Sequence, residues 1–545
     1  MTAPPSTPLS RALAALGAGR MDEAARMAER AVELDRASVE AWRILALAQE
    51  ALGDVPQALA AYETALGLAP SDADLMNGLA RLALEMDLPS TALGLAQHAL
   101  VARPGDAEAA RLVASAFARE GRFAEAVQHL TGHLSRFPEQ PIVWNVLGAI
   151  ASDAGEVDTA ELAFAEAIRL DPGLAAAQFN RANLWMNCGQ IERALAALEA
   201  IPETGLSPRE RATLRFTRAC ARLRLGDLDQ GWREYQARND ASLSGAAHFD
   251  LPGRRWSPGH PLKGLDLLIV GEQGLGDEVM FGGMIPDLIS GADRPASLSL
   301  AVEPRLVSLF QRSFPDVVVG AHATIETAGR RVRRLPTPTN LTGFGSWAPM
   351  GDLLPVLRPD AAAFPDRRGY LKADPHGVAQ WREWLSQKPR GLKFGLLWKS
   401  GLMTGARRLA FAGFETWAPV LTTPGATFVN LQYGDTDEEI AFAQSRLGIK
   451  ILTPPGLDLK QDLEGVAALS CALDLVIGVS NASFNLAAAC GVEAWLVSAA
   501  DAWTLLGTDA YPWYPQVRLF ASRRPGDWEE VMEGVAQALK VMTAD

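Results

Sequence analysis

Cysteine is scarce. Only Cys188, Cys220, Cys471 and Cys490 occur in 545 residues, far apart and never as C-x-x-C, which excludes a disulfide framework and a zinc ribbon and predicts free thiols. Histidine is nearly as rare: the seven present form no metal-spaced set in the C-terminal half, and His129 with His133 lies in a helical repeat. No metal is expected. Long apolar runs are missing too. The N-terminal "MTAPPSTPLSRALAALGAGR" lacks a basic start followed by an apolar core, so a cytoplasmic chain with no membrane span is expected. Basic blocks are few and the net charge is −13, which argues against a nucleic-acid partner. The remainder, 48% apolar and 21% charged, is ordinary for a globular protein and too long for one core.

What the chain does have is a repeat. Ala24, Ala58, Ala92, Ala126, Ala160 and Ala194 stand 34 residues apart, and Gly19, Gly53, Asp87, Gly121, Gly155 and Gly189 each precede one of them by five. Pro70, Pro104, Pro138 and Pro172 follow four of the alanines by twelve, and Trp42, Met76 and Trp144 share one phase. Glycine opens the tight turn between two antiparallel helices, alanine lets them approach, and proline ends the second. In "EVDTAELAFAEAIRLDP", Ala160, Phe164, Ala167 and Ile168 fall on one helical face. The pattern resembles the tetratricopeptide repeat (TPR), carried here by Trp144, Gly148, Gly155, Ala160, Phe164, Ala167 and Pro172. Six repeats are followed by a degenerate seventh, "LRFTRACARLRLGDLDQGWREYQAR", displaced by three residues and expected to cap the array. Residues 1–238 are therefore expected to form an α-solenoid of six to seven repeats. Its concave groove would receive a polypeptide or serve self-association, and Trp42, Trp144, Trp185 and Asn180 are groove candidates unless they pack between helices.

Beyond residue 238 the helical period stops. Residues 239–262, rich in Gly, Pro and Ser, are expected to be a linker. The runs "LDLLIVG", "SLSLAVE", "DVVVGA", "FGLLWKS", "TFVNLQY", "IKILTP", "LDLVIGV" and "EAWLVSA" then alternate with helical stretches. They predict two doubly wound parallel sheets, one over 263–390 and one over 391–545, with ligands at the carboxyl ends of the strands.

The loop "GEQGLGDEVMF" at 271–281 sits between a strand and a helix. Its glycine order is neither the dinucleotide fingerprint nor a P-loop, and its acids would repel phosphate. Asp277 suits either of two roles: a base that takes a proton from a hydroxyl nucleophile, or a helix cap.

This loop, "LLWKSG" and "CALDLVIGVSNASFNLAAACGVEAWLV" together resemble heptosyltransferase-like glycosyltransferases of the GT-B fold, over residues 263–545. The likeness to such domains fused to bacterial TPR arrays extends over nearly the whole chain. The resemblance implies that Asp277 is the catalytic carboxylate, with Glu272, Gly274 and Gly276 on the acceptor side. It also implies that Trp398, Lys399, Ser400, Ser480, Asn481, Ser483 and Asn485 contact the donor nucleotide. Arg407 and Arg408, in a glycine-containing loop, are expected to neutralise departing phosphate. The chain departs from the family where Asp-Thr/Ser-x-x-x-His becomes Ser480 through Asn485, losing acid and histidine alike. That puts heptose transfer from a nucleoside diphosphate in doubt and leaves a CMP-linked donor or lost activity open. The implied activity is metal-independent protein O-glycosylation of Ser or Thr without a cofactor. It follows TPR-containing flagellin glycosyltransferases, whose donor is a nonulosonic acid such as pseudaminic acid. The alternatives are an adaptor with an inactive transferase domain, or a transferase acting on a lipid or polysaccharide. Of the remaining features, "RRVRR" at 330–334 is expected at the surface and "YPWYPQVRLF" as aromatic packing.

Overall fold

The structure, a computed structural model, describes residues 7–243, 245–272, 274–327, 330–400, 411–524 and 526–544. They divide into two compact units, Met1–Leu184 and Trp185–Asp545.

The first unit is built of paired helices, among them Val39–Leu52 with Val55–Leu68 and Pro141–Ala154 with Val157–Leu170. Ala24, Ala58, Ala92, Ala126 and Ala160 are fully buried. A Cβ added at Gly148 would lie 2.5 Å from the Phe164 ring, so small and large residues interlock across each pair. Gly155 ends its helix in the left-handed conformation at φ 84°, the geometry for which glycine has least penalty. Asp87 takes the same conformation without glycine's freedom, at φ 58°.

Trp42 and Trp144 are half-buried, and their indole N–H groups are committed within the protein. Trp42 Nε1 donates to the Arg36 carbonyl at 2.9 Å and Trp144 Nε1 to the Pro138 carbonyl at 2.7 Å. Gln178, one repeat further, donates to the Pro172 carbonyl at 2.7 Å. At these three positions the shared phase staples the helix to the turn before it. Asn180 Nδ2 donates to Asn145 Oδ1 at 3.0 Å.

The second unit starts with the helices Ile191–Glu199, Pro208–Arg224 and Leu228–Tyr235. Ser207 opens the middle one with a reciprocal capping box to Glu210. Trp185 is buried, with the Arg193 guanidinium 4.0 Å from its ring centroid. Thirteen strands follow among the described residues: β1 Ala247–Phe249, β2 Arg254–Arg255, β3 Asp266–Val270, β4 Ser297–Val302, β5 Val318–Ala321, β6 Ala323–Thr327, β7 Arg330–Arg334, β8 Ser346–Pro349, β9 Leu392–Leu397, β10 Ala426–Asn430, β11 Leu475–Gly478, β12 Ala494–Ala499 and β13 Val517–Ser522. They form two five-stranded sheets, ordered β2-β8-β3-β4-β5 and β10-β9-β11-β12-β13, and a smaller one, β1-β7-β6. Both large sheets are parallel throughout.

Several sequence expectations change here. The stretch 239–262 is woven into the sheets through β1 and β2 instead of spanning freely. "IKILTP" supplies one isolated bridge, Leu452 to Val429. "RRVRR" is β7, with Arg330, Arg331 and Arg334 exposed but Arg333 buried. "VRLF" opens the edge strand β13.

Candidate functional site

β3 is apolar and buried from Leu267 to Val270, as a strand covered on both faces must be. Its carboxyl end delivers the chain into the acidic loop. Glu272 turns inward and is 2% exposed. It accepts from Arg238 Nη2 at 2.6 Å, from Arg238 Nε at 3.2 Å and from the Gly351 amide at 2.6 Å. Arg238 belongs to the helical turn Gln236–Asn239 that follows the last repeat. Its Nη2 also reaches Asp352 Oδ1 at 3.0 Å, and Arg255 meets the other Asp352 oxygen at 2.9 Å. Burial pushes the Glu272 carboxyl up, but Arg238 and its hydrogen bonds more than offset this and hold it below the usual range. Glu272 is thus a structural ion-pair partner with both oxygens engaged, not an acceptor-facing group.

The helix Leu275–Gly282 follows, with Gly274 at its N-cap and Asp277 as its third residue. No side chain caps this helix, so the capping role for Asp277 is not realised. Asp277 is half-buried and its carboxylate accepts no hydrogen bond among the described residues. Burial, and then the negative charge of Glu272, push it up to about 7 against the opposing pull of Arg238. A half-buried carboxyl with that ionisation and no hydrogen-bond partner among the described residues can hold or take a proton near neutral pH. The next residue, Glu278, is hydrogen-bonded within the protein. It is buried and accepts the Glu303 amide at 2.5 Å and His322 Nε2 at 3.4 Å. Arg333 binds the Gly271 carbonyl, so β7 also pins the loop.

Gly276 faces the second sheet. A Cβ there would stand 3.7 Å from the backbone N and Cα of Ala482, which begins the helix Ala482–Ala489 after β11. The two loops therefore meet. Asn481 caps that helix by accepting the Phe484 amide at 3.0 Å, and its Nδ2 donates to the Lys399 carbonyl at 3.3 Å. Tyr511 hydrogen-bonds to Ser480 Oγ at 3.0 Å and donates to Asn485 Oδ1 at 2.7 Å. Asn485 Nδ2 returns to the Asn481 carbonyl at 3.0 Å. Ser483 and Asn485 are buried. Burial drives the Tyr511 hydroxyl well above its ordinary range, and Asp277's charge adds to the rise.

The "LLWKS" segment is also committed internally. Trp398 is buried against Phe414 at a centroid distance of 4.9 Å, and its Nε1 donates to Glu439 at 3.3 Å. Lys399 forms an ion pair with Glu439 and donates to the Asp435 carbonyl at 2.6 Å. Trp398 is thus core, and Lys399 is not a free cation. Ser400 is half-buried at the end of the described segment, and Arg407 and Arg408 lie outside the described residues. Among the described residues no group of three His, Cys, Asp or Glu side chains is arranged to hold a metal, and no helix is long and apolar enough to cross a membrane.

The site brings in residues that sequence reasoning missed. Arg238 and Asp352 carry no motif, and the sequence around Tyr511 predicts only aromatic packing. Tyr235, from the last repeat helix, lies under Arg238 at 4.8 Å from the guanidinium. Burial, and then Asp277's charge, raise its hydroxyl far above the usual range.

The helices and sheets define the class: a tetratricopeptide-repeat protein with a C-terminal α/β region of parallel sheets. The tetratricopeptide-repeat family matches residues 9–73, 77–141 and 151–215. Across nearly the whole chain the similarity is to Protein FlbA of Caulobacter vibrioides, 45% identical over 536 residues, 98% of this chain and 90% of the relative. The chain belongs to the FlbA family. Among solved structures, a tetratricopeptide repeat protein of Parabacteroides merdae is 18% identical with a TM-score of 0.37, covering 43% of this chain and 92% of that one. A thermophilic TPR protein of Thermus thermophilus is 22% identical with a TM-score of 0.30, covering 33% of this chain and 97% of that one.

Proposed function

We propose that this protein is a glycosyltransferase that binds a polypeptide through its repeats and transfers a sugar to a Ser or Thr hydroxyl. The observation that carries the reading is Asp277: a carboxyl without a hydrogen-bond partner among the described residues, held up at about 7, where the loops after β3 and β11 meet. In the reaction Asp277 takes the hydroxyl proton as the oxygen attacks the anomeric carbon. The new C–O bond forms while the bond to the nucleotide phosphate breaks, and phosphate leaves with the electron pair. The helix start at Asn481 supplies backbone donors toward that phosphate. The donor is a nucleotide-activated sugar, and the lost Asp and His of the β11 loop fit a CMP-linked nonulosonic acid such as pseudaminic acid. The likeness to TPR-containing flagellin glycosyltransferases supports flagellin as the acceptor.

The test is intact-mass analysis of flagellin from cells carrying the parent gene, an Asp277→Asn allele or no gene. The expected result is a shift by whole sugar residues with the parent alone. Equal modification by the Asp277→Asn allele would refute the role of Asp277.

One observation favours a second reading, an adaptor with an inactive transferase domain. Lys399, Asn481 and Asn485 already bond within the protein, leaving fewer side chains for a nucleotide. In that case flagellin keeps one mass in all three strains while still copurifying with the repeats.

A further inference from the structure

Arg238 lies in the last turn of what the sequence presents as the binding array, yet the two carboxylates it bonds, Glu272 and Asp352, belong to the α/β half. It is 2% exposed, as are Glu272 and Asp352. Glu272 leaves β3 and Asp352 leaves β8, adjacent strands of the same sheet. One guanidinium thereby spans the loops after two neighbouring strands, and the loop after β3 reaches Asp277 five residues later. A planar fork with several donors can bridge two carboxylates in this way, whereas an ammonium is a point charge. The same repeat is anchored nearby. Trp232, fully buried, donates from Nε1 to the Arg358 carbonyl at 2.8 Å. Tyr235 stacks on Trp503 with centroids 6.3 Å apart. A Cβ at Gly507 would strike the backbone of Gly226, so the turn of this repeat is in close backbone contact with the segment leading to Tyr511.

We infer that the last helical repeat is a wall of the reaction site, and that Arg238 is a positioning residue that fixes the loop presenting Asp277 by clamping Glu272 and Asp352. The inference rests on the reading of Asp277 as the base. It moves the boundary between the acceptor-binding repeats and the transferase to the junction at Leu184 and Trp185, and it ties the end of the repeat array to the loop that carries the reacting carboxylate.

The charged and titratable groups facing Asp277 are Glu272 on its own loop, Arg238 on the turn after the last repeat, Tyr235 on the last repeat helix, and Tyr511 before β13. Removing Arg238 takes away a positive neighbour and frees the charge of Glu272, so the ionisation of Asp277 must move to higher pH. Glu272→Gln takes away a negative neighbour, so it must move to lower pH. Loss of fold alone cannot produce opposite shifts.

The experiment is carboxyl-carbon NMR of the full-length protein labelled with ¹³C-aspartate, the Asp277 resonance being the one lost in Asp277→Asn. Arg238→Ala, Arg238→Lys and Glu272→Gln are titrated in parallel with the parent. The expected result is an upward midpoint shift in Arg238→Ala and a downward one in Glu272→Gln. Arg238→Lys should be intermediate, and guanidinium should partly reverse the Arg238→Ala shift. Unmoved midpoints, or shifts of one sign, would overturn the assignment. If Arg238→Ala does not fold, the sign in Glu272→Gln and in Arg238→Lys decides alone. The flagellin mass assay with Asp277→Asn tests the underlying reading separately: normal glycosylation there refutes the reaction whatever the titrations show. Loss of glycosylation with unmoved midpoints refutes only the role of Arg238.

Discussion

The loops after β3 and β11 occupy equivalent places in two similar sheets and solve opposite problems. The β11 loop closes on itself: Ser480, Asn481, Asn485 and Tyr511 pair with one another or with nearby backbone. The β3 loop spends Glu272 and Glu278 on internal partners and leaves Asp277 without one among the described residues. Three acids within seven positions thus divide into two bonded within the fold and one without such a partner among the described residues. A buried polar group that is satisfied reports architecture, and a desolvated one that is not reports a site. Residue type alone does not separate the two.

The comparison breaks most severely if the last repeat is removed. Deleting residues 1–184 leaves the second unit whole, and we expect a folded protein. Deleting residues 1–238 also removes Trp232 and Arg238, exposing the apolar bed of Trp232 and leaving Glu272 and Asp352 as buried charges with one guanidinium fewer. Uncompensated buried charge costs about 3–5 kcal/mol and loss of a buried Trp about the same, together comparable with the stability of a typical domain. The longer deletion is expected to be insoluble or unfolded by near-UV circular dichroism and limited proteolysis. Equal folding of the two truncations would show that the β3 loop stands without its clamp.

How far this contrast was legible in the sequence depends on the length scale of each signal. The repeats were readable because each alanine, glycine and proline recurs with the same local task. The parallel strands were readable because β3, β9, β11 and β12 are apolar along nearly their whole length. Asp277 was identifiable by its loop, but its ionisation depends on burial and on Arg238, 39 positions earlier in the chain. Lys399 looked like a phosphate ligand because Glu439, its partner, is 40 residues away. β7 was hidden because only Arg333 of its arginines turns inward, and β1 and β2 because a strand of two or three residues has no period to detect. Local pattern revealed the elements, while the use of each polar group was set by partners distant in sequence.

The pH dependence of stability sharpens the comparison at Asp277. Its folded ionisation lies at about 7 against an ordinary value of 3.8, so the folded state keeps a proton that the unfolded state has lost. The associated stability is fully present below about pH 4 and disappears as pH rises through about 7. Asp277→Asn lacks this term. With solvent screening of a half-buried group allowed for, we expect the variant to match the parent near pH 4 and to exceed it by about 1–3 kcal/mol at pH 8, read as the shift in urea midpoint. An unchanged difference between the two pH values would mean that Asp277 ionises normally.

The smallest effect belongs to the β11 loop, and it asks whether that loop's polar residues form a network or merely lie close together. Tyr511→Phe keeps the ring in its apolar bed and deletes only the hydroxyl that serves Ser480 and Asn485. Asn485 Oδ1 is then left buried without its donor, a loss of about 1–2 kcal/mol. Asn485→Ala removes the other partner, and a double-mutant cycle isolates their coupling. A coupling of about 1 kcal/mol is expected, because after either single change the second has less left to break. Additive effects would place Tyr511 and Asn485 in separate roles. The β11 loop would then have polar capacity to spare for a ligand, and its contrast with the β3 loop would disappear.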